Sequence, residues 1–195
     1  NTIVFDGQQT DEVVLYVITT HPIIRILNDI VVIASGLFLL GVFFALWQTE
    51  TIPYGIPLIG VICALLWIIG GILWQELVMK GNRVYLTDRR CMRFERVTPV
   101  LTTKRSLFWS DVLKAKAFSD NMFWKKMNVG TLQIEPVAAD GEDVKIPHVY
   151  YAEDLANYID KILYVSKTAP ATIGSIKPFV AQSKWQRGAE GEMVQ

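Results

Sequence analysis

The stretch GNRVYLTDRRCMRFERV, Gly81 to Val97, follows directly on the most hydrophobic part of the chain and changes its period. Val84 and Leu86 alternate with Arg83, Tyr85 and Thr87, and Met92 and Phe94 alternate with Cys91, Arg93 and Glu95. A two-residue repeat of that kind marks sheet strands, and the TDRR between the two runs is turn-forming. The stretch also holds Arg83, Arg89, Arg90, Arg93 and Arg96. A basic β-hairpin opening straight from an apolar segment places the junction of a membrane anchor and a polar domain at this point.

Upstream, Ile30 to Trp47 carries no charge over 18 positions, and Thr51 to Gln75 carries none over 25. As helices these runs measure about 27 and 37 Å, enough to cross a hydrocarbon layer of about 30 Å. A chain of 195 residues cannot build enough core to cover two such helices on every side, so they are expected to form a transmembrane hairpin. Its tip, Gln48 to Pro57, has no Lys or Arg, whereas Arg25, Lys80, Arg83, Arg89 and Arg90 flank the other side. The positive-inside rule therefore puts both termini in the cytoplasm. Gly41 with Ala45, and Gly60 with Ala64 and Gly71, recur at helical spacing and are expected to let the two helices approach closely.

Composition conceals an asymmetry. The whole chain is neutral, with 19 basic and 19 acidic residues, 51% of positions are hydrophobic, and mean hydropathy is +0.29. Lys80 to Lys116 nevertheless holds ten basic against three acidic residues, a net of +7, and Glu135 to Asp160 seven acidic against one basic, a net of −6. The first 22 residues have neither a basic start nor a long apolar run and do not resemble a signal peptide. Cys63 and Cys91 fall in different environments, which argues against a disulfide and for a reducing compartment.

Beyond the hairpin, TKRSLFW, DVLKAKAF and GTLQIEPV read as further strands, and Asp140-Gly141 as a hairpin signal. YAEDLANYIDKILYV then shifts to helical spacing, with Leu155, Ile159, Ile162 and Leu163 on one face and Glu153 and Asp154 at the start. From Ser166 the periodicity stops. The expected organisation is an N-terminal segment at 1–22, a transmembrane hairpin at 23–79, a cytoplasmic domain at 80–165 and an extended tail at 166–195. In class it is a membrane-anchored α+β protein.

Tyr85, Leu86, Thr87, Asp88 and Arg90, with Val129, Gly130, Thr131 and Leu132, resemble the hairpin and later strand motifs of the bacterial pleckstrin-homology-like membrane proteins. Asn128 stands where that family usually has a glycine. The resemblance covers roughly residues 10 to 165. It implies a seven-stranded, strongly bent antiparallel sheet closed at one end by a C-terminal helix. It also implies binding of phospholipid headgroups, peptides or proteins rather than catalysis.

Two candidate surfaces stand out. Arg83, Arg89, Arg90 and Arg93, with Lys125 and Lys126, are expected to meet anionic phospholipid at the inner leaflet. Met122, Phe123 and Trp124 in NMFWKKMN, with Phe179 and Trp185 in the tail, have the composition of a partner anchor; a loop that packs Phe123 and Trp124 over the end of the sheet is the plainer alternative. Neither His21 nor His148 has a partner at metal-ligand spacing, so no metal or other cofactor is expected. No phosphate-cradling glycine loop, nucleophile elbow or paired carboxylates appear, so no enzymatic activity is expected. A basic hairpin tethered at a membrane makes lipid or protein a nearer partner than nucleic acid. The sequence thus points to a non-catalytic accessory subunit of a larger complex in the bacterial inner membrane. Energy-transducing complexes, photosynthetic or respiratory, form one class of host, and secretion or transport machinery another. The alternative is a free adaptor that senses anionic headgroups.

Overall fold

A computed structural model describes residues 4–49, 52–119, 121–138 and 143–181. In chain order the elements are β1 (Val14–Thr19), α1 (Pro22–Trp47), α2 (Gly55–Gly81), β2 (Arg83–Thr87), β3 (Arg90–Arg96), β4 (Thr102–Phe108), β5 (Val112–Phe118), α3 (Met122–Lys126), β6 (Val129–Pro136), β7 (Val144–Tyr150) and α4 (Ala152–Thr168). They divide into two compact units, one holding residues 20–83 and 94–103, the other residues 4–19, 84–93 and 104–181.

In the helical unit, α1 starts where the His21 ring caps it, Nδ1 accepting the Ile23 N–H at 3.1 Å, with Pro22 in the first turn. A proline is tolerated there because that turn needs no donor. Both helices are long and apolar enough to cross a membrane, each with a window of mean hydropathy 2.6. A soluble core helix of that composition would be mostly buried. Here only 6% of the α1 window and 17% of the α2 window are covered, so lipid is the solvent that suits them. They meet along small residues: a Cβ on Gly36 would fall 2.2 Å from Ile68, one on Gly60 2.2 Å from Phe43, and one on Gly71 2.5 Å from Val32. Ala64 is buried in the same seam.

Gly41 and Ala45, expected in this contact, are exposed, and a Cβ on Gly41 would touch nothing. The inward stripe of α1 runs through Val32, Gly36 and Phe43; five residues beyond Gly36 the helix has turned about 140°, which points Gly41 outward. At one end of the hairpin Arg25 lies 3.7 Å from Asp29 and 3.8 Å from Glu76, and Lys80 reaches Glu76 at 2.7 Å. The polar residues at the start of α1 thus form an ion-pair cluster with the end of α2.

Among the described residues seven strands form two sheets, not one: β1-β2-β3-β4, and the antiparallel β5-β6-β7. β1 lies in the segment expected to precede the fold. Its apolar run, VLYVIT, buries only Leu15 and Ile18, and an almost continuous apolar sequence hides that pattern from a period-two search. The second sheet bends at irregularities between Val112 and Lys114 and between Gly130 and Leu132. α4 packs against it through Leu155, Ala156, Ile159, Ile162 and Leu163, the core-facing stripe of an amphipathic helix. Asp160 Oδ1 accepts the Ala115 N–H at 3.3 Å from β5.

Of the expected extended tail at 166–195, the described part, 166–181, begins with ordered structure. α4 continues to Thr168, Pro170–Ser175 form a 3-10 turn, and Ile173 enters the core. Phe179 lies with its ring centre 5.0 Å from that of Tyr16 and 5.6 Å from that of Tyr158, whose hydroxyl donates to the Lys177 carbonyl at 3.1 Å. Single apolar residues returning to a core show no periodicity, so the sequence pattern could not reveal them. The Asp140-Gly141 turn and Trp185 lie outside the described residues.

Candidate functional site

The TDRR turn between β2 and β3 brings Thr87, Asp88, Arg90, Glu12 and Trp109 to one place. Thr87 is fully buried, and its Oγ1 accepts N–H bonds from Arg89 at 3.3 Å and Arg90 at 3.0 Å, which tightens the turn. The single hydroxyl proton lies within reach of Glu12 Oε1, at 2.8 Å, and of the Arg90 carbonyl, at 2.9 Å. The carboxylate is the stronger acceptor. Asp88 exchanges bonds with the backbone of Val13: its N–H donates to the Val13 carbonyl, and its Oδ1 accepts the Val13 N–H, both at 3.0 Å. From the other side Trp109, 2% exposed, donates its indole N–H to the Thr87 carbonyl at 2.9 Å.

Glu12 is the centre of this cluster. Its carboxylate has no exposure, and Arg90 grips it with both arms, Nε to Oε1 at 2.9 Å and Nη2 to Oε2 at 2.8 Å. The Gln9 N–H donates to Oε2 at 3.0 Å. Burial alone would raise the pKa of this carboxyl. The bonds from Arg90, Gln9 and Thr87 and the charge of Arg90 outweigh burial and lower it from 4.5 to about 2. Arg90 in turn is raised, chiefly by its bond to Glu12. Its Nη2 also donates to the Gly7 carbonyl at 2.9 Å, and its guanidinium carbon lies 5.9 Å from the centre of the Phe108 ring. Arg89 Nη1 donates to Gln9 Oε1 at 2.7 Å, and Lys104 pairs with Asp6.

The arginines expected at the lipid surface therefore have different fates. Arg90 is committed to Glu12 and Gly7, and Arg89 to the loop at Gln9, with Asp11 3.8 Å away. Arg93 is half-buried, while Arg83, Lys125 and Lys126 are exposed. Two of the six cations, Arg89 and Arg90, thus belong to a clasp that fastens residues 5–13 to the β2–β3 turn. Glu12 and Trp109 escaped the sequence reading because only the fold brings them to Thr87, over separations of 75 and 22 positions.

The second candidate, NMFWKKMN, forms the short helix α3. Asn121 caps it, its Oδ1 accepting the Trp124 N–H at 3.0 Å. Trp124 is half-buried, edge-on to Phe123 and to His148 with ring centres 5.2 Å apart in each case. His148 sits at φ 56°, where β7 accommodates its irregularity. Met122 is 89% and Phe123 56% exposed, so of the five residues expected at a partner these two face solvent, Trp124 is half-buried, Phe179 packs on Tyr16 and Tyr158, and Trp185 lies outside the described residues. Beside α3, a small open cleft is lined by Ser119, Lys125, Gly130, Tyr151, Glu153 and Asp154 among others. Glu153 and Asp154 already place negative charge at the α4 start.

Among the described residues no cluster of three or more His, Cys, Asp or Glu could hold a metal ion. Cys91 is enclosed in the core, and burial pushes its thiol up to about 12, which leaves it without a reactive thiolate at neutral pH. Comparison with protein-family models, with curated proteins and with solved structures returned no significant match.

Proposed function

We propose that this chain is a non-catalytic, membrane-anchored accessory subunit: a two-helix hairpin in the bacterial inner membrane carrying a cytoplasmic pleckstrin-homology-like domain that binds a larger membrane complex. The observation that carries the reading is the contrast between the two candidate surfaces. Arg90, on which a headgroup pocket at the TDRR turn would depend, is held inward by Glu12, whereas Met122 and Phe123 stand in solvent on a well-capped turn of helix beside Lys125 and Lys126. Exposed Met and Phe are contact-rich side chains suited to a protein partner. The outward Gly41 and Ala45 on α1 offer a close-packing face for a neighbouring helix. An energy-transducing complex and a secretion or transport machine both provide such neighbours.

The test is mild detergent extraction of the tagged chain from native membranes, followed by size separation and mass spectrometry. The expected result is a stoichiometric partner set that is lost in a Met122→Ala/Phe123→Ala variant. Recovery of the chain alone, unchanged by the substitutions, refutes the reading. It would leave exposed Arg83, Lys125 and Lys126 as the basis for the second reading, an adaptor that senses anionic lipid.

A further inference from the structure

The turn joining β3 to β4 is apolar where a turn is ordinarily polar. Val97, Val100 and Leu101 are 62%, 89% and 64% exposed, and residues 97–103, VTPVLTT, hold no charge. Its position follows from the register of the hairpin before it. β2 and β3 are joined by the two-residue turn Asp88-Arg89, which sets Thr87 opposite Arg90. Counting back along the pair sets Arg96 level with Gly81, the last residue of α2. Residues 97–101 then continue beyond the start of β2, at the end of the hairpin where α2 hands over to β2.

Arg96 bears this out. Its N–H donates to Asn82 Oδ1 at 2.6 Å, its guanidinium donates to the Leu77 carbonyl at 3.1 Å, and a Cβ on Gly81 would fall 2.6 Å from its Nε. All these residues belong to the helical unit, as does the whole turn. The clamp therefore fixes the apolar tip at the level where α2, with Trp74, Glu76 and Lys80 in its last turns, passes from hydrocarbon to headgroups.

We propose that Val97–Leu101 is a third membrane contact, an apolar tip seated in the lipid interface beside the exit of α2. The proposal rests on the reading that α1 and α2 cross a bilayer. Lipid is the occupant because the surface is continuous with the anchor and because the turn satisfies its own backbone. Of the four N–H groups in Val97–Leu101, Pro99 having none, three are bonded within it. Val97 and Thr98 donate to the Leu101 carbonyl at 3.1 and 3.4 Å, and Leu101 donates to Thr98 Oγ1 at 3.0 Å. A segment entering a region poor in water needs that internal satisfaction. In water the same tip would be an uncovered apolar end on the edge strand β4, which folded proteins avoid.

The experiment uses the full chain in vesicles of phosphatidylcholine and phosphatidylglycerol. An environment-sensitive fluorophore is attached at position 100 in a Val100→Cys/Cys63→Ser variant, at position 97 in Val97→Cys/Cys63→Ser, and at native Cys63 as the reference. Lipids carrying a nitroxide high or low on the acyl chain read the depth, and aqueous iodide reads exposure to water. The expected result is blue-shifted emission at positions 97 and 100, lost with the shallow nitroxide and kept with iodide, while the label on Cys63 is quenched by the deep nitroxide. If iodide quenches positions 97 and 100 while Cys63 responds to the deep nitroxide, the anchor stands and the tip proposal fails. Positions shielded from iodide and from both nitroxides show that protein covers the tip, which also overturns it. If Cys63 responds to neither nitroxide, the transmembrane reading fails and the tip proposal with it.

Discussion

Replacing Glu12 with Gln keeps the size of the side chain and removes the charge that Arg90 encloses. Two routes set the magnitude. The carboxyl pKa falls from 4.5 to about 2 on folding, and at about 1.4 kcal/mol per unit that difference is worth about 3 kcal/mol. Independently, breaking a buried pair from one side costs about 3–5 kcal/mol because the remaining charge is left uncompensated. Arg90 is only 12% exposed, so it cannot recover full solvation. The sign follows from the lowered folded pKa: the stabilisation is complete above 4.5 and is lost as pH falls toward 2. Denaturant unfolding of the full chain in non-ionic detergent, followed by near-ultraviolet circular dichroism, should show Glu12→Gln less stable at pH 7 by about 3 kcal/mol. Between pH 5 and 3 the wild type should lose stability more steeply than the variant. A Glu12→Gln/Arg90→Met chain should lose less than the two single losses combined, because it leaves no orphaned charge. Equal stability of Glu12→Gln and wild type at pH 7, or parallel pH profiles, would show that the clasp does not hold the N-terminal segment.

Gly130→Ala should destabilise the sheet unit by roughly 1–3 kcal/mol in the same unfolding assay, since the new Cβ would fall 2.9 Å from the Phe118 carbonyl and 3.0 Å from the Ala152 Cβ. Ile159→Ala should cost about 2–5 kcal/mol, because Ile159 has no exposure and its loss opens a cavity under α4. Cys91 should resist maleimide in the folded chain at pH 7 and react fully in denaturant, as mass spectrometry of the Cys63→Ser variant would show; ready labelling without denaturant would contradict its burial. Gly60→Leu should open the α1–α2 seam, because Phe43 occupies the space a side chain would need; faster proteolysis of the detergent-solubilised variant is the readout, and an unchanged rate would place the helix contact elsewhere.

The elements most legible in the sequence are those whose signal is local. The two apolar runs and the stripe Leu155, Ile159, Ile162 and Leu163 each lie within one element and are found where the pattern places them, and β2 begins at Arg83 where the period changes, although Val84 to Thr87 are buried on both faces rather than alternately. Gly60, Ala64 and Gly71 lie in the helix seam for the same reason, whereas the Gly41–Ala45 pair does not, because spacing alone leaves the rotation of α1 open. Misread positions share the opposite property. Ile173 and Phe179 return to the core from a non-periodic segment, and Glu12 meets Thr87 and Arg90 across the whole helical hairpin. A count of arginines in one stretch says how much charge is present, not how much remains free once a buried carboxylate has taken its share.

That distant pairing has a consequence for the anchor. β1 and β2 are neighbours in one sheet, yet both long apolar helices lie between them in sequence, joined by two residues after β1 and by one before β2. Neighbouring strands occupy the same compartment, so the two outer ends of the helical hairpin must emerge on the same face of any membrane it crosses. This follows from strand order and connector length alone and does not depend on counting charges in loops. It also gives the TDRR turn a reason to be polar and internally bonded. Asp88 pairs with Val13 and Arg90 with Glu12 just ahead of β1, so the clasp joins the chain that enters the helices to the chain that leaves them. The Glu12 substitution, 75 positions from Thr87, therefore probes how firmly the segment ahead of β1 is held to the β2–β3 turn.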